Sequence, residues 1–117
     1  MKLDISTLQP GVTRVLIDSD ALDADNNKIF RAQIIPLLDQ YQIILLDMHR
    51  LRYIDSAGLA SLLFCLRAMT KRHATLRLFG MSQTVQALFE LVRMNRVFEA
   101  YPTELAALEN IPIHNVE

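Results

Sequence analysis

Apolar and polar positions alternate in short blocks whose period changes along the chain. Residues 1–6 alternate loosely, Gln9-Pro10-Gly11 is a turn signal, and Val12-Thr13-Arg14-Val15-Leu16-Ile17 is β-branched and apolar. This pattern predicts two adjacent strands forming a hairpin. Asp18-Ser19-Asp20 ends the second strand. Leu22, Ile29, Phe30, Ile34, Leu37 and Leu38 then recur at helical spacing, predicting a helix over about 24–40 that Pro36 should kink or unwind in its last turn. Residues 42–48, Gln-Ile-Ile-Leu-Leu-Asp-Met, read as a strand buried on both faces. A long helix follows from Ser56 to about Arg72, then a strand over 75–79 closed by Gly80. Ser82 caps a further helix with an apolar stripe of Val85, Leu88, Phe89, Val92 and Met94. Val97-Phe98 reads as a short final strand, Pro102-Thr103-Glu104 opens a last helix through Leu108, and 111–117 reads as a loose tail. Strands alternating with helices after an opening hairpin predict a single small α/β domain. Its mixed, mostly parallel sheet should have about 4–5 strands packed with about four helices.

The segment Tyr53-Ile54-Asp55-Ser56-Ala57-Gly58-Leu59 joins the buried run to the long helix, and its spacing puts Ser56 at a helix N-cap. The unsatisfied N–H groups and positive dipole end of a helix start would stabilise an oxyanion on Ser56, making it a candidate phosphate carrier. Serine is also a preferred cap wherever helices begin, contributing about 0.5–2 kcal/mol relative to Ala, and spacing alone favours that plainer role.

Length and charge narrow the alternatives. A chain of 117 residues, 51% of them hydrophobic, supports one core, and a formal net charge of −1 gives no reason to expect nucleic acid as a partner. The single cysteine, Cys65, rules out an internal disulfide and a cysteine-based metal cluster, and reads as a small residue at the core edge. Met1-Lys2-Leu3-Asp4 lacks a signal-like apolar region, and no apolar run approaches the roughly 18 residues of a membrane span. The expectation is a cytoplasmic protein without direct membrane insertion.

Catalytic chemistry finds little support. The three glycines, Gly11, Gly58 and Gly80, lie in no phosphate-loop or dinucleotide spacing, and His49, His73 and His114 form no ligand pair, so they read as solvated. A hydrolase with Ser56 as nucleophile and His49 or His73 as base would want glycines two residues either side of the serine. Gly58 is present but position 54 is Ile. Asp23 and Asp55 could pair as carboxylates, yet an Asp just before a helix more commonly accepts backbone N–H bonds. The expectation is therefore no enzyme, no catalytic residue, no cofactor and no metal.

The long helix has a second informative face. At about 100° per residue, Leu62, Leu63, Leu66, Met69 and Thr70 share the side expected to face the core. Ala57, Ala60, Ser61, Phe64, Ala68 and Lys71 fall opposite, so Phe64 points outward among small residues. Its alignment with Ser56 suggests a partner-binding surface that begins at the serine.

These residues resemble the STAS domain family, and within it the stand-alone bacterial anti-sigma factor antagonists, over about residues 3–108. The resemblance rests on Ala21-Leu22-Asp23, Leu45-Leu46-Asp47, Ile54-Asp55-Ser56-Ala57-Gly58-Leu59, Leu78-Phe79-Gly80 through Leu88, and Arg96-Val97-Phe98. The Asp-Ser-x-Gly-Leu junction is its specific part. The resemblance implies a phosphorylation-switched binding module with Ser56 as phosphoacceptor, Ala57 leaving it the only hydroxyl of the motif. It implies two partners: an anti-sigma factor that is also a serine kinase of histidine-kinase-like fold, and a PP2C-type phosphatase. The unmodified form would bind the kinase and free the sigma factor. Asp23, Asp55, Ser56, Ala57, Gly58, Ala60, Ser61 and Phe64 are the expected contact residues. The alternative is a non-switching STAS subunit that scaffolds a cytosolic or membrane-transport complex.

Overall fold

The computed structural model describes residues 1–112. Strand β1 (Lys2–Gln9) turns through Gly11, at φ +79°, into the antiparallel β2 (Val12–Asp18), with a bulge between Thr7 and Gln9. A two-residue strand β3 (Ala21–Leu22) precedes helix α1 (Asn27–Gln40). Strand β4 (Ile43–Asp47) and the short β5 (Tyr53–Ile54) lead into helix α2 (Ser56–Lys71). Then come β6 (Thr75–Phe79), α3 (Gln83–Leu91), a 3-10 turn (Met94–Arg96), β7 (Glu99–Tyr101) and α4 (Glu104–Leu108). The main sheet has five strands in the order β1-β2-β4-β6-β7, parallel throughout except for the opening hairpin. Strands β3 and β5 form a separate parallel pair, Ala21 opposite Tyr53 and Leu22 opposite Ile54.

The expected α/β architecture is therefore present, and the sheet's two faces are covered unequally. Alternation along β4 sends Ile44 and Leu46 into the larger core with Phe30, Ile34, Leu62 and Phe89. Ile43 and Leu45 point into a smaller core with Val12, Phe79 and Ala107 beneath α4. Every residue of β4 is buried, as its unbroken apolar run predicts.

Several boundaries differ from the sequence reading. Leu22 belongs to β3, not to the first helix, and Ile29 is 51% exposed. Helix α1 begins at Asn27 and runs unbroken past Pro36 to Gln40, because Leu37 and Leu38 just behind the proline are held in the core. Val97-Phe98 is not a strand. Arg93 adopts a left-handed conformation, at φ 63°, that opens the 3-10 turn, and Phe98 packs on Phe89 with ring centroids 5.6 Å apart. The last strand starts at Glu99, and as an edge strand with exposed Glu99 and Ala100 it carries little apolar signal. Val92, expected in the α3 stripe, is 45% exposed beyond the helix end. Cys65 lies in the core itself, and burial pushes its thiol up to about 12. His114 and most of the expected tail lie outside the described residues.

Arg77 ties α4 to the sheet. Its buried guanidinium donates through Nε to Glu99 at 2.8 Å, through Nη1 to the carbonyls of Ala107 and Glu109 at 2.9 and 2.7 Å, and through Nη2 to Asn110 at 3.1 Å. It also stacks 5.1 Å from the Tyr101 ring centroid. One side chain thus satisfies an orphan carbonyl in the last turn of a short helix and the carbonyls of the two residues that follow it. Arg77→Met keeps the apolar stem but removes these donors. It should cost about 2–4 kcal/mol, read as a lowered urea midpoint with an unchanged slope.

Candidate functional site

The turn before α2 is built on Asp55. Its Oδ1 accepts from the Gly58 N–H at 2.9 Å, making Asp55 the N-cap of the helix, while Oδ2 accepts from the Ala24 N–H at 3.0 Å. Ser56 is therefore the first helical residue and not the cap, and it is exposed. The Asp23–Asn26 turn is itself cross-bonded. Asp23 Oδ1 accepts from the N–H groups of Asp25 and Asn26 at 3.0 and 3.3 Å, and Asn26 Oδ1 accepts from the Asp23 N–H at 2.9 Å. Asp23 and Asp55 thus shape adjoining turns and do not pair as carboxylates.

The Gly58 N–H is the main cause holding the Asp55 carboxyl below the ordinary aspartate range. Partial burial opposes it, and the Ala24 and Ala57 N–H groups reinforce it. Ser56 thus sits between a carboxylate held in its charged form and the positive end of a 16-residue helix.

Gly58 is buried, and it is required for a steric reason. A Cβ there would lie 2.1 Å from the Leu22 carbonyl oxygen and 2.7 Å from Ile54 Cγ1. The absence of a side chain lets α2 start directly against the β3–β5 pair, which fixes Ser56 in space. Gly58 is thus not available as a contact residue.

Ser61, expected on the docking face, is fully buried, and its hydroxyl accepts from Arg31 Nε at 2.9 Å. The inward face of α2 runs through Gly58, Ser61, Leu62, Cys65 and Met69. It is rotated by roughly 80° from the face that leucine positions predict. Small residues occupy the closest approach to α1 and the sheet, so a hydrophobicity wheel underweights them. Leu63 and Leu66 are only partly buried, and Thr70 is exposed.

Ala60 is exposed, and Ala57 and Phe64 are half-buried on the outward side of α2. Arg31 lies 5.0 Å over the Phe64 ring, so one guanidinium holds both Ser61 and Phe64. Sequence reasoning missed Arg31 and the exposed Tyr53, because their neighbours come from distant segments. Of the bases weighed for Ser56, His49 is engaged through Nδ1 with Asp47 Oδ1 at 2.7 Å, and His73 follows the far end of α2, about 24 Å along the helix.

A protein-family model described as "Mlab, STAS domain" matches residues 6–102. No curated protein matches the chain in sequence. Among solved structures, a candidate anti-sigma factor antagonist from Thermotoga maritima superposes with a TM-score of 0.82 at 20% identity, covering 93% of each chain. The Bacillus cell fate determinant SpoIIAA in its phosphorylated form gives 0.68 at 18% identity, over 95% of this chain and 100% of that one. The murine anion transporter Slc26a9 gives 0.72 at 20% identity, over 84% of this chain and 17% of the transporter.

Two measurements test this geometry. Gly58→Ala should destabilise the protein by about 3 kcal/mol in spite of alanine's better helix propensity, because the obstructing atom is backbone. Asp55 has a folded-state pKa below its unfolded one. Its stabilisation is therefore complete above the ordinary value of 3.8 and is lost as pH falls through the folded value. Asp55→Asn should flatten this acid limb in urea melts taken across that range.

Proposed function

The chain belongs to the STAS family, and from that premise we propose that it is a phosphorylation-switched binding module, an anti-sigma factor antagonist acting in the cytoplasm with Ser56 as phosphoacceptor. The observation that carries this reading is the exposed hydroxyl-bearing residue at the first position of α2, held directly after the Asp55 cap. STAS domains are binding modules, and the reading needs no catalytic group, metal or cofactor in this chain. The ATP belongs to the partner, an anti-sigma factor and serine kinase of histidine-kinase-like fold, and a PP2C-type phosphatase reverses the modification.

The sense of the switch follows from electrostatics. A phosphate adds roughly −1.5 to −2 charge, which water and the helix dipole accommodate in the free protein. Buried against a partner beside the ionised Asp55, the same charge would lose its solvation and meet like charge. The unmodified form therefore binds and the modified form dissociates. Tyr53, Ala57, Ala60 and Phe64 complete the contact surface, with Asp23 and Asp55 holding the loops that frame it.

A second reading has its own support. The matching family model carries the description "Mlab", and one similar fold belongs to an anion transporter. In that reading the chain is a constant subunit of a transport complex and Ser56 is only a surface residue. Among the described residues no helix is long and apolar enough to cross a membrane, so attachment would run through a partner.

Incubation with the kinase of the same organism and ATP, followed by mass spectrometry, should place phosphate on Ser56 and none on Ser56→Ala. Ser56→Asp should weaken kinase binding by about 10–100-fold. Equal labelling of Ser56→Ala would exclude Ser56 as acceptor. A membrane-complex partner retained equally by wild type and Ser56→Asp would establish the scaffold reading.

A further inference from the structure

Leu63 and Leu66, which the leucine pattern assigns to the core, pack against its edge and also line a surface groove. They are joined there by Phe64 and Ala68 of α2 and by Met94 and Val97 of the segment after α3, around a volume of about 880 Å³. Most of the lining surface is apolar, and Val97 remains 45% exposed.

The charge around this groove is segregated. Arg67 and Lys71 line it, and Arg93 and Arg96 flank Met94 in the chain; all four are exposed. None of the four is in an ion pair among the described residues, whereas Lys2, Arg14, Arg50 and Arg77 are. Neither α2 nor the segment 91–98 contains an Asp or Glu, in a chain with 13 acidic residues against 12 basic ones. An overall net charge of −1 thus conceals a groove whose charged lining residues, Arg67 and Lys71, are both cationic.

We propose that this groove docks an amphipathic partner helix whose apolar stripe is flanked by Asp and Glu. The lining from Leu63 to Lys71 extends about 12 Å along α2, which matches an i, i+3, i+4, i+7 stripe two turns long. Its carboxylates would meet Arg67 and Lys71, the two charged residues of the lining. A second copy of this chain fits poorly, because a two-fold pairing across the groove would oppose Arg67 and Lys71 to their duplicates. The groove is centred away from the phosphoacceptor, with Leu66 about 15 Å along α2 from Ser56, and it adjoins the contact surface proposed above at Phe64. It is therefore a second docking surface on the helix that carries Ser56.

The test uses the full chain, labelled with nitrogen-15, and two synthetic helices of about 14 residues that share one leucine stripe and carry either Glu or Lys flanks. The Glu-flanked helix should shift resonances in 63–71 and 94–97 and bind about tenfold or more tighter than the Lys-flanked one. Arg67→Glu with Lys71→Glu should abolish that preference, while the exposure of both sites leaves the fold intact. Ser56→Asp should leave peptide affinity within about twofold, even though it disrupts kinase binding, so the two readings fail separately. Failure of the Glu-flanked helix to bind, or equal affinity for both helices, would overturn the proposal. So would concentration-dependent dimerisation mapping to the groove, or protection of these residues by phosphatidylglycerol vesicles without peptide binding.

Discussion

Everything that positions the candidate site depends on one carboxylate divided between two segments of chain. Asp55 gives one oxygen to the start of α2 and the other to Ala24, 31 residues earlier, just after β3. The first bond starts the helix, and the second fixes the helix start relative to the loop that enters α1. Gly58 makes this geometry reachable, since any side chain there would collide with the Leu22 carbonyl. Cap, close approach and the two-residue β3–β5 pair are thus parts of one joint, and Ser56 is the first exposed residue beyond it. A phosphate at that position would be read by a rigid frame, not by a loop free to turn away.

The two sides of the sheet serve different ends. One carries α1, α2 and α3 over the larger core, and the other is closed by a helix of only five residues. So short a helix has little stability of its own, and Arg77 supplies what it lacks by reaching from β6 to three carbonyls at its end. The outward side of α2 is thereby left to the site, with Arg31 bracing it through Ser61 and Phe64.

Strong local signals made much of this legible in the sequence. The apolar run at 43–47, the Pro-Gly turn at the hairpin and the Asp-Ser-x-Gly junction each act within a few residues, and their elements are where the pattern puts them. What was illegible depends on distant partners. Strands β3 and β5 have two residues each, too few for a period, and exist because they pair with one another. Edge strand β7 is largely exposed and lacks the apolar mark of an inner strand. The rotation of α2 was hidden because glycine, serine and cysteine form its closest contacts while leucines turn partly outward. Ser61 enters the core with its hydroxyl satisfied by Arg31, 30 residues away.

Cys65 lies midway along α2, fully buried, with its thiol held protonated well above physiological pH. A thiol in that state reacts with alkylating reagents only in openings that expose it to solvent. The chain therefore carries a built-in reporter of openings around the helix that presents both Ser56 and the groove. With one cysteine in the sequence, the labelling rate of the unmodified protein reports that motion without any introduced probe.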